Sequence, residues 1–132
     1  MQTQEFFGQV QHRAHLANLD EAIRATRATL ETLAERIGAD EAQDLGAELP
    51  EEIARYLRAA PGASGERLTS DEFLMRCSER EGVDLPVSIH HVRAVLEVLQ
   101  QAVTAGEVAE VLERLPRDYR RLFGGAGGKM AS

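Results

Sequence analysis

Laid over itself with a shift of 66 positions, this chain matches itself without a gap, and no other feature limits its fold as tightly. Near the start, Thr3 meets Thr69, Phe7 meets Phe73 and Leu19 meets Leu85. A denser run follows: Ile23 with Ile89, Arg27 with Arg93, Ala28 with Ala94, Leu30 with Leu96, Glu31 with Glu97 and Leu33 with Leu99. Further on, Ala39 meets Ala105, Glu41 meets Glu107, Leu49 meets Leu115, Pro50 meets Pro116 and Arg55 meets Arg121. Roughly a quarter of the paired positions are identical, and pairs such as Ile37 with Val103 or Leu45 with Val111 keep their apolar character. One register held through successive elements reads as a tandem duplication. The copies fall at residues 1–58 and 69–123, with a linker at 59–68 and a tail at 124–132. The linker contains Ala59-Ala60-Pro61-Gly62-Ala63-Ser64-Gly65, and the tail begins Gly124-Gly125-Ala126-Gly127-Gly128; both compositions predict flexibility.

Each copy predicts the same string of four helices, which makes the fold class all-α with about eight helices. The first helix runs from about Thr3 to His15 and from about Thr69 to Arg80; Thr69 followed by Glu72 has the pattern of a capping box. The second and longest runs from about Leu19 to Ile37 and from about Leu85 to Val103. Asn18 and Asp84 precede it as N-caps, and Pro86 sits in the first turn, where a missing amide is harmless. Ile23, Thr26, Leu30, Leu33 and Ile37 recur at helical spacing, as do Ile89, Val92, Leu96, Leu99 and Val103, and these are the expected buried stripes. Thr104 with Glu107 predicts a second capping box at the start of a third helix. The Leu49-Pro50 and Leu115-Pro116 steps force a break, because the residue before proline leaves the helical region, and each proline then starts a short final helix. A single copy would bury only a thin core, so the two are expected to pack as one compact domain around a pseudo-twofold axis.

Composition narrows the function classes. The net charge of −7 repels phosphates, which argues against nucleic acid and anionic membranes as partners. Aromatic residues are 5% of the chain and tryptophan is absent, so Leu, Ile, Val and Ala must fill the core. Cys77 is the only cysteine, which rules out an intramolecular disulfide and an all-cysteine metal site. No leader pattern and no long apolar run is present, and a cytoplasmic location is expected.

Several phrases resemble one family. The second copy carries Asp71-Glu72-Phe73-Leu74, Glu79-Arg80-Glu81-Gly82-Val83 and Arg93-Ala94-Val95-Leu96-Glu97-Val98-Leu99, then Leu115-Pro116 through Tyr119 to Leu122-Phe123. The first adds Arg27-Ala28-Thr29-Leu30-Glu31-Thr32-Leu33 and Leu49-Pro50-Glu51-Glu52. Together they resemble Domain of Unknown Function 2267, over nearly the whole chain except the tail. The resemblance implies a small, cytoplasmic, helical bacterial protein, in some cases stress-associated. It supplies no activity, catalytic residue or cofactor.

The residues themselves nominate few chemical groups. His12 and His15 stand three apart on a helix and could face one metal ion, with His91 and Glu81 as further ligands. The repeat argues against that site, since it places His12 opposite Ser78 and His15 opposite Glu81. No metal and no cofactor is therefore expected. Arg27 with Glu31, and Arg93 with Glu97, keep an i, i+4 spacing in both copies. These pairs are expected to bracket the contact between copies, to cap the Leu-Pro break, or to offer one cationic site per copy. Arg117, Tyr119, Arg120 and Arg121 mix charge with an aromatic ring, a combination that can grip nucleic acid. The matching stretch of the first copy is acidic, which favours a docked terminal helix instead.

No catalytic constellation emerges. The leading expectation is a non-enzymatic interaction module that binds another protein or itself. The alternatives are a nucleic-acid-associated protein using the C-terminal arginines, and a small-molecule or metal-binding protein with a pocket between the copies.

Overall fold

A computed structural model describes residues 1–58 and 67–124. Among them are seven α-helices, one 3-10 turn and no strand. The helices are α1 (Thr3–Ala14), α2 (Leu19–Ile37), α3 (Ala39–Gly46), α4 (Glu51–Arg58), α5 (Ser70–Glu81), α6 (Leu85–Ala102) and α7 (Ala105–Glu113). The eighth element, Arg117–Arg121, is a 3-10 turn and not the α-helix expected. Its amide bonds run three residues back, from Tyr119 to Pro116 and from Leu122 to Tyr119, so the chain tightens to dock Tyr119 and Leu122.

The helix starts follow the local chemistry. The Thr69 hydroxyl accepts from the Glu72 amide at 3.1 Å, and the Glu72 carboxylate accepts from the Thr69 amide at 2.9 Å, completing the box. Thr69→Ala is expected to destabilise the fold by about 1 kcal/mol, read from urea midpoints. Asn18 accepts from Glu21 at 3.0 Å, whereas the Asp84 side chain makes no capping bond. His15 ends α1 in the left-handed region, at φ 56°, a place more often taken by glycine.

The core runs between the two long helices. α1 packs against both α2 and α6, and α5 packs against both α6 and α2. Arg76 and Arg80 of α5 bind Glu35 of α2 at 2.9 and 2.5 Å, and Arg80 also donates to Thr32 at 3.0 Å. Although burial works against it, those two guanidinium groups hold the Glu35 carboxyl below the usual carboxylate range. Cys77 is fully buried against the Ala28 carbonyl, and burial pushes its thiol up to about 12, which leaves it inert. Of the expected stripes, Thr26, Leu30, Leu33, Ile37, Val92, Leu96 and Leu99 are buried; Ile23, Ile89 and Val103 are only half-buried.

Short connections fix which ends meet. His90 near the start of α6 lies 3.2 Å from the Ala14 carbonyl at the end of α1, and residues 15–18 lead directly from there into α2. The first turns of α2 and α6 therefore share one end of the molecule. α3 and α7 follow the opposite ends of the two long helices and touch each other there. Most of the sequence-based linker and tail lie outside the described residues, but Leu68 is buried and its carbonyl accepts the Tyr119 hydroxyl at 2.7 Å. No helix among the described residues is long and apolar enough to cross a membrane.

Candidate functional site

The sequence-nominated metal ligands do not assemble. Glu81 and His91 do meet: His91 Nδ1 contacts Glu81 Oε2 where α5 packs on α6, and both side chains are buried. Burial raises the Glu81 carboxyl above the usual range despite the histidine, and its Oε1 has no partner. His12 and His15 are exposed on α1, and no group of three potential ligands among the described residues includes any of the four. Where α1 meets α6, His90 faces the Ala14 carbonyl and Arg13 binds Glu97, while His12 and His15 stay apart from the Glu81–His91 pair.

The basic C-terminal stretch is docked. Tyr119 is fully buried, edge-on to Phe73 at 5.4 Å, with the Arg36 guanidinium 5.8 Å from its ring centre. Arg121 donates to Ser70 Oγ at 2.9 Å and Asp71 Oδ1 at 2.7 Å. Arg117 and Arg120 remain exposed. A ring in this position has no free face to stack on a base.

The paired arginines and glutamates belong to a larger pattern. Along α2, Leu19, Ile23, Arg27 and Glu31 stand four residues apart, and α6 repeats the same row as Leu85, Ile89, Arg93 and Glu97. Burial alternates in the same order in both rows: exposed, half-buried, exposed, half-buried. Leu19 is 43% exposed and Leu85 38%, so neither leucine is accounted for by the core. Their ion pairing differs. Arg27 donates to Glu31 at 3.1 Å, while Glu97 is bonded to Arg13 of α1 at 3.2 Å, and Arg93 lies against Gly124. The α6 row borders a groove of about 340 Å³ lined by Arg13, Pro86, Ile89, His90, Arg93, Ala94 and Glu97. Sequence reasoning found the four identities singly but assigned Ile23 and Ile89 to the core and did not foresee Arg13.

The start of α7 also departs from expectation. Thr104 Oγ1 accepts from the Glu107 amide at 3.2 Å, but the Glu107 carboxylate does not reach back. Glu48 takes its place, accepting from the Thr104 amide at 2.7 Å. Glu107 turns inward beside Glu41 of α3, and the two are 6% and 2% exposed.

Residues 3–122 match the family model described as "Uncharacterized conserved protein (DUF2267)". The chain belongs to this family. The DUF2267 match begins at the first residue of α1 and ends just past the 3-10 turn, so it takes in every helix described above. No curated protein matches the chain.

Proposed function

We propose that this DUF2267 chain is a non-enzymatic interaction module, a duplicated helical unit of the cytoplasm that presents two equivalent faces to another protein. The observation that carries the reading is the recurrence of Leu-Ile-Arg-Glu, with the same exposures, on the outer sides of α2 and α6. Core packing demands similar side chains inside, but places no such demand on an exposed leucine and arginine. Duplication itself, with residues 1–58 and 69–123 sharing one core about a pseudo-twofold axis, is supported by the pairing of each first helix with both long helices. A row of i, i+4 side chains is a ridge that fits the groove of another helix. Its apolar end and its arginine suit an amphipathic helix bearing acidic residues. Two such faces on one molecule make the contact bivalent. The nucleic-acid alternative lacks support, because its aromatic residue is buried and Arg121 is engaged.

Crosslinking in the native host followed by mass spectrometry tests this. Arg27→Glu combined with Arg93→Glu is expected to abolish recovery of the partner, and each single variant to keep part of it through the remaining face. A monomer that captures nothing, or a partner retained by the double variant, would overturn the proposal.

A further inference from the structure

We infer that a cavity between the last turn of α2 and the approach to α5 binds a free α-amino acid with an apolar side chain, its carboxylate on Arg36 and Arg67 and its ammonium on Glu72 and Asp118. The cavity measures about 480 Å³, within the range of small-molecule sites. Its walls come from both halves of the chain. Arg36 belongs to α2, Arg67 and Leu68 to the segment leading into α5, and Glu72 to the first turn of α5. Pro116 and Asp118 close it from the start of the 3-10 turn. No residue of the two Leu-Ile-Arg-Glu rows lines it, so the site stands apart from the proposed partner faces.

The charges in this cavity are balanced in number but not paired. Neither Arg36 nor Arg67 forms an ion pair among the described residues. Arg36 is half-buried, its Nε has no hydrogen-bond partner, and its guanidinium rests 5.8 Å from the centre of the Tyr119 ring. A guanidinium withdrawn from water without a counter-ion is destabilising, and a carboxylate entering the cavity offsets that loss. The two acids are each tied to the backbone through one oxygen. Glu72 Oε1 accepts from the Thr69 amide and Asp118 Oδ2 from the Ser70 amide, both at 2.9 Å. The Ser70 amide also holds the Asp118 carboxyl below the ordinary carboxylate range, so it is ionised at neutral pH. Each acid keeps a second oxygen for a donor in the cavity. Arg121 of the same turn is engaged elsewhere, on Ser70 and Asp71.

These charges choose the ligand. Two cations and two carboxylates leave the cavity without net charge, in a chain whose own net charge is −7. A bare anion meets both carboxylates and the field of the whole chain, whereas a bare cation meets both arginines. A zwitterion with its two charges on one carbon satisfies both signs and adds no net charge. The guanidinium fork matches a carboxylate in shape as well as in charge. Leu68 and Pro116 supply the apolar part of the lining, against which an apolar side chain sheds water. The wall at Leu68 is held in place beforehand, because the fully buried Tyr119 donates its hydroxyl to the Leu68 carbonyl at 2.7 Å.

L-leucine titrated into the full chain at neutral pH tests the site by calorimetry and thermal unfolding. Three relatives are run beside it: N-acetyl-L-leucine without the ammonium, L-leucinamide without the carboxylate, and glycine without the side chain. One saturable event is expected for L-leucine, with the melting temperature raised by at least about 2 °C at about 10 mM ligand. Each relative is expected to bind at least about tenfold more weakly. Arg67→Gln alters an exposed residue, so the variant folds, and Arg36→Lys keeps a cation beside Tyr119 while losing the fork; each is expected to weaken L-leucine binding about tenfold. Absence of saturable heat for L-leucine, or unchanged binding in either variant, overturns the site. N-acetyl-L-leucine binding as tightly as L-leucine overturns the amino-acid assignment in favour of a plain carboxylate. Equal binding of L-leucinamide overturns the role of the arginines, and equal binding of glycine overturns the apolar side chain.

Discussion

Glu107→Gln is expected to stabilise the protein at pH 8 by about 2 kcal/mol and to leave its stability nearly unchanged at pH 4. Burial, the hydrogen bond with Glu41, and repulsion from Glu41, Glu110 and Glu48 push the Glu107 carboxyl up to about 8, against an ordinary value of 4.5. Below the ordinary value the group is protonated in both folded and unfolded chains and contributes no pH dependence. Between the two values the folded protein holds a proton that the unfolded chain has released. Stability therefore falls as pH rises through this window and levels off above about 8. A glutamine supplies a neutral donor to Glu41 at every pH, so the slope disappears. Urea titrations at a series of pH values measure it directly. An unchanged slope in the variant would mean that Glu107 is ionised and solvated in the folded protein.

His91→Ala is expected to destabilise the fold by about 3 kcal/mol at neutral pH, the largest loss foreseen for a change away from the apolar core. The truncation leaves Glu81 buried with neither oxygen partnered, because its Oε1 already has none. The deficit should shrink on acidification below the ordinary carboxylate value, where Glu81 is neutral whether the chain is folded or not. Replacing both residues by leucine removes the polar groups together and should recover much of the loss. A His91→Ala deficit that is the same at acid and neutral pH would point to lost packing and not to a buried charge.

Local chemistry made much of the fold legible. Helix boundaries followed from Asn18, Thr69 and the two Leu-Pro steps, because caps and prolines act within a few residues of where they stand. The 3-10 turn was not legible, since its form is set by the docking of Tyr119 and Leu122. The functional groups were harder to read for a related reason. A glutamate in the first turn of a helix ordinarily faces solvent and favours the dipole, and Glu41 and Glu107 look no different in sequence. Only the meeting of α3 with α7 buries them. The recurrence of Leu19, Arg27 and Glu31 66 positions on was visible, but the exposure of Leu19 was not, because a leucine in an amphipathic helix is expected inside.

The crossed seating of α1 and α5 has a consequence for where the chain can be cut. Each rests on the long helix that follows it and on the long helix of the opposite half. Separation of the halves would uncover apolar surface on α1, α2, α5 and α6 together. Residues 1–58 made alone would keep the α1 face that α6 covers bare, and are expected to associate or aggregate instead of staying a folded monomer.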